Sequence, residues 1–79
     1  MDEKERIARE IMEEACETDE IFEDCDMDLF DNGYLDSFAV LTIILGIETG
    51  LGVKLQVTDV EKEQVCTVNA FIDFVKGLA

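Results

Sequence analysis

A chain of 79 residues has material for one compact domain with a modest core, expected over 1–79, and too little to wall a deep catalytic cleft. Its 48% apolar content separates it from disordered chains despite a net charge of −14, and that charge, with only six scattered Lys and Arg, argues against nucleic acid and for partners with basic surfaces. Without histidine no Ser-His-Asp triad can be assembled, so no catalytic residue is expected; Cys16, Cys25 and Cys66 lack zinc-site spacing, and no apolar run is long enough to cross a membrane, so a reduced, cytoplasmic protein is expected.

Residues from about 3 to 17 place Ile7, Ala8, Ile11, Met12 and Ala15 on one stripe of an amphipathic helix. From Glu17 to Asp36 the pattern breaks into apolar pairs, Ile21-Phe22, Leu29-Phe30 and Tyr34-Leu35, among acids and the turn signal Asn32-Gly33, which predicts a long loop anchored by its aromatic residues. The second helix is expected to start with Ser37 as its N-cap and to stop at Gly50. Its apolar residues cover more than half the circumference and leave Ala39, Thr42, Gly46 and Thr49 as a small, neutral stripe that a partner could approach closely. Val53, Leu55 and Val57 alternate as in a strand but have no pairing partner, so an extended connector is expected. Thr58 and Glu61 fit a capping box for a short third helix to about Gln64, and Thr67 fits the N-cap of a last helix built on Val68, Phe71, Ile72, Val75 and Leu78. Fifteen of the 20 acids lie in Met1 to Asp36, with three of the bases.

The turn Leu35-Asp36-Ser37-Phe38, with Asp28-Leu29-Phe30 ahead of Gly33, Ile47-Glu48 near the end of helix 2, and Thr58 and Thr67, resembles the acyl carrier protein family and, within it, the D-alanyl carrier proteins of Gram-positive bacteria. The resemblance covers nearly the whole chain. It implies an all-α, acyl-carrier-protein-like four-helix bundle, three main helices and one short, with a long loop between helices 1 and 2. It also implies a 4'-phosphopantetheine arm, derived from coenzyme A, on Ser37, with Asp36 presenting the serine and magnesium to a phosphopantetheinyl transferase. An ATP-dependent ligase and a membrane acyltransferase are the further partners implied, with D-alanine as cargo for teichoic acid modification. The chain itself is then a non-catalytic and monomeric carrier.

Serine is also among the commonest N-cap residues, so capping and arm attachment both stand as roles for Ser37. Fatty-acid carriers usually show several acids along the exposed face of helix 2. The corresponding positions here are Ala39, Thr42, Leu45 and Thr49, with Glu48 the one acid. Partners are therefore expected to dock on Phe38, Ala39, Thr42, Leu45 and Glu48, with long-range steering from the acidic first half. Gln56 stands where relatives commonly have Pro. Other readings are a carrier of fatty-acid or polyketide synthesis, an adaptor without a prosthetic group, and a cation-binding loop at Asp24-Cys25-Asp26-Met27-Asp28. That loop lacks the Gly and Glu of an EF-hand, having Leu29 and Leu35 at those positions.

Overall fold

The computed structural model describes residues 2–78. Four α-helices follow in chain order: α1 (Glu3–Cys16), α2 (Ser37–Leu51), α3 (Lys62–Val65) and α4 (Val68–Lys76), with single 3-10 turns at Glu20–Glu23 and Val57–Asp59. No strand occurs among the described residues, and the alternating stretch 53–56 is an extended connector. The helical bundle expected from the resemblance is therefore present. Asp2 caps α1 by accepting the Glu5 N–H at 2.8 Å, and that bond is the main reason its carboxyl titrates below the usual range. Thr67 caps α4 as expected, accepting the Ala70 N–H at 3.0 Å.

One face of each helix meets in a common core: Ala8, Ile11 and Met12 from α1, Ile43 and Ile47 from α2, Val65 from α3, and Val68, Phe71 and Val75 from α4. The long loop adds Ile21, Leu29 and Leu35, all buried, while their aromatic neighbours Phe22, Phe30 and Tyr34 are only half-buried. The loop's anchors are thus its aliphatic residues, because the tight interior accepts a branched chain from each pair and leaves the larger ring at the rim. Burial also pushes the Cys16 thiol from its ordinary value near 9 up to about 11. The unfolded chain ionises this thiol first, so its contribution to stability is complete below about pH 9 and is lost as the pH rises towards 11. Iodoacetamide labelling at mildly alkaline pH should accordingly modify the half-buried Cys25 and Cys66 well before the buried Cys16, as read by peptide mass spectrometry.

Three sequence expectations are corrected here. Helix α2 runs past Gly50 to Leu51 and stops at Gly52, whose φ of 71° is left-handed and whose N–H bonds the Glu48 carbonyl at 3.0 Å. Gly50 serves instead to admit α1: a Cβ there would meet Ile7 Cγ2 at 3.0 Å, and one at Gly46 would meet Ile11 Cγ1 at 3.0 Å. Within the small-residue stripe, Gly46 is therefore used by the chain's own first helix and Ala39 is buried, while Thr42 is half-buried and Thr49 exposed. The expected Thr58–Glu61 box is replaced by two others. Asp59 Oδ2 accepts the Gln56 N–H at 2.9 Å, and Gln64 Oε1 accepts the Glu61 N–H at 2.8 Å. One helix running from residue 59 would place Val60 and Val65 about 140° apart, whereas the extended break at Val60 lets both pack inward. The Gln56 bond also uses an N–H that a Pro at this position would not have.

Candidate functional site

Asp36, and not Ser37, is the N-cap of α2. Its Oδ1 accepts the Ala39 N–H at 2.9 Å and its carbonyl accepts the Val40 N–H at 3.1 Å, which makes Ser37 the first residue of the helix proper. Asp and Ser cap about equally well. Here the buried Leu35 and Ala39 on either side set the frame in which the aspartate faces the helix end. The consequence is decisive for Ser37: its exposed hydroxyl makes no hydrogen bond with any described residue, so capping cannot account for it. The Ser37 and Phe38 N–H groups likewise have no acceptor and, at a helix N-terminus, face outward where an anion is favoured.

The long loop holds this turn in place from behind. Leu29 is its hub, since its carbonyl accepts the N–H groups of Tyr34 and Leu35 at 2.8 and 3.1 Å, and its own N–H donates to the Cys66 carbonyl at 2.7 Å. Asn69 at the start of α4 donates from its backbone to the Cys25 carbonyl at 3.1 Å and from Nδ2 to Asp26 Oδ1 at 2.8 Å. Gly33, with φ 79°, turns the chain back towards α2. The acids Asp24, Asp26 and Asp28 are therefore tied into the loop: Asp24 Oδ1 accepts the Asp26 N–H, and Asp28 Oδ1 accepts those of Phe30 and Asp31. No group of three or more ligating side chains is positioned for a metal among the described residues.

Beside Ser37 lies a mainly apolar groove of about 250 Å³ between the first turn of α2 and α3, lined by Phe30, Val40, Val57, Val60 and Val65 together with the charged Glu61 and Lys62. On the outer face of α2, Phe38 is 79% exposed, Leu41 46% and Leu45 63%, one continuous stripe at helical spacing. Of the expected docking residues, Phe38 and Leu45 belong to that stripe and Glu48 is exposed further along the helix. Thr42 is half-buried, its hydroxyl donating to the Phe38 carbonyl at 3.4 Å. Ala39 departs from that expectation in being almost wholly buried in the core, which leaves little of it for a partner to contact. Leu41 was missed because an apolar residue in a largely apolar helix reads as core. Its place three residues after Phe38 and four before Leu45, within about 60° of both on the wheel, was the available signal.

Comparison with known proteins agrees with this geometry. The family model described as a phosphopantetheine attachment site matches residues 5–75. The chain belongs to that family. Curated relatives include the D-alanyl carrier proteins of Bacillus cereus (strains B4264 and ATCC 10987 / NRS 248) and of Bacillus anthracis (strain CDC 684 / NRRL 3495), each 35% identical over 63 residues, which is 80% of this chain and 80% of the relative. As in other carrier domains, the prosthetic group supplies a terminal thiol on a flexible arm that holds an acyl group as a thioester. The residues present fit it: a free hydroxyl for the phosphodiester, two unpartnered amides beside it, and an apolar groove for the aliphatic part of the arm.

Capping by Asp36 can be tested apart from the presentation role that the resemblance implies. Asn caps a helix as well as Asp does, so Asp36→Asn should melt close to wild type, whereas Asp36→Ala should lose about 1 kcal/mol, a fall of roughly 4–8 °C. If the carboxylate also presents Ser37 to the transferase, both variants load slowly. Circular dichroism melts alongside timed intact-mass measurements check both halves.

Proposed function

We propose that Ser37 bears the phosphopantetheine arm and that the cargo is D-alanine, carried by this single monomeric domain in the cytoplasm for teichoic acid modification. The observation that carries the attachment site is the Ser37 hydroxyl, left without a hydrogen bond because Asp36 caps the helix. The cargo is supported by the relatives named as D-alanyl carriers and by an α2 face that is neutral at Thr42, Leu45 and Thr49, where fatty-acid carriers are usually acidic, and apolar at the exposed Phe38 and Leu41. The enzymes served are a phosphopantetheinyl transferase, an ATP-dependent D-alanine ligase and a membrane-bound acyltransferase; no described helix is long and apolar enough to place the carrier itself across a membrane.

These partners dock on the Phe38–Leu41–Leu45 stripe, with Thr42 and Glu48 at its margin. Steering comes from α1 and the loop, where Glu10, Glu13, Glu14, Glu17 and Asp19 line one open surface hollow that has no Lys or Arg in its wall. Raising salt should slow ligase association while leaving dissociation nearly unchanged, as read by stopped-flow fluorescence, because the final contact is apolar. The cargo is tested by incubating the arm-bearing protein with ATP and a D-alanine ligase or, separately, a fatty acyl ligase. Loading of D-alanine and not of L-alanine or a fatty acid is expected; preferential loading of the fatty acid would overturn the assignment.

A further inference from the structure

Four of the six cations are engaged at the end of the bundle where α1 and α4 meet. Arg6 and Arg9 pair with Glu3 and Glu5, Lys76 lies between Asp2 and Glu5, and Lys4 Nζ donates to the Leu78 carbonyl. Lys62 is different. It has no carboxylate partner among the described residues, its ammonium sits 5.1 Å from the centroid of the Phe30 ring, and it is the one cation lining the groove that Ser37 borders. We propose that Lys62 is the counter-charge for the phosphodiester on Ser37, moving from the Phe30 face to the phosphate when the arm is attached and so tying α3 to the first turn of α2. The proposal rests on Ser37 as the attachment residue.

Electrostatics favour this exchange. The arm adds a negative charge next to Asp36, on a chain already at −14 and in a groove whose wall also carries Glu61, and Lys62 is the one cation lining that groove to offset the repulsion. An ammonium bound to a phosphate oxygen makes a charge-assisted hydrogen bond, which is stronger than its contact with a half-buried ring at the surface. Helix α3 stands to gain most, since it has four residues and only Val65 is buried. Short elements with so few apolar contacts open locally at little cost, so one new ion pair is felt across the segment. Lys62 thereby acts as a positioning residue that makes the α3 side of the groove firmer in the arm-bearing chain than in the bare one.

The test compares hydrogen–deuterium exchange over residues 57–66 in bare and arm-bearing forms of wild type, Lys62→Gln and Lys62→Arg, with intact mass confirming the arm in each. Arm attachment should slow exchange about two- to fivefold in wild type, the range for a partly exposed ion pair. The effect should be smaller in Lys62→Gln, restored in Lys62→Arg, and reduced by high salt. Equal slowing in wild type and Lys62→Gln would overturn the role of Lys62 while leaving Ser37 intact. Failure of wild type to accept an arm would overturn both, and the mass measurement tells the two failures apart.

Discussion

Replacing Phe71 with alanine is expected to cost about 3–5 kcal/mol, the range for deleting a fully buried aromatic ring, and so to remove a large share of the domain's stability. Phe71 is 0% exposed, and α4 packs against both α1 and α3. Its ring also lies near Phe74, centroid to centroid 6.5 Å, so the cavity left by its removal opens where three helices meet. A domain of 79 residues has only about 4–12 kcal/mol to lose at 0.05–0.15 kcal/mol per residue. The consequence extends to the site, because Asn69 on the same helix holds the long loop through the Cys25 carbonyl and Asp26. Urea titration of the bare protein measures it. A loss under about 1 kcal/mol would mean that the helices do not converge on Phe71.

The helices themselves were legible wherever one face is apolar and the other charged. In α1 and α4 the three-and-four spacing of Ile7, Ile11, Phe71 and Val75 marks the buried side directly, and Thr67 has no competing cap beside it. Helix α2 was harder because nearly every residue is apolar, so periodicity could not separate the inward Ile43 and Ile47 from the outward Leu41 and Leu45. Its ends were misread for a related reason. Asp36 and Ser37 are equally good caps, and Gly50 and Gly52 equally good stops, until packing against α1 decides between them.

Of the site, Ser37 and Asp36 could be found from their motif, although their structural roles were exchanged. The groove beside them could not be. Phe30, Ser37, Val57 and Lys62 are distant in sequence and come together only when the loop is fastened to the turn between α3 and α4 by the Leu29–Cys66 bond. No spacing rule links a loop aromatic to the first residue of a four-residue helix. The alternating acids of Asp24, Asp26 and Asp28 suggested a cation loop in the sequence, yet in the fold their oxygens serve the loop's own amides and Asn69.

Because Asp36 does the capping, Ser37→Ala should leave the fold almost untouched, within about 0.5 kcal/mol, as for other exposed positions without a partner. Its effect on function should instead be complete, since no other described residue offers an unengaged hydroxyl at the start of a long helix with an apolar groove beside it. The direct measurement is intact mass after co-expression with a broad-specificity phosphopantetheinyl transferase. Wild type should gain the mass of one arm, and Ser37→Ala should gain none while melting at the same temperature; an unmodified wild type, or an arm retained by Ser37→Ala, would contradict the account.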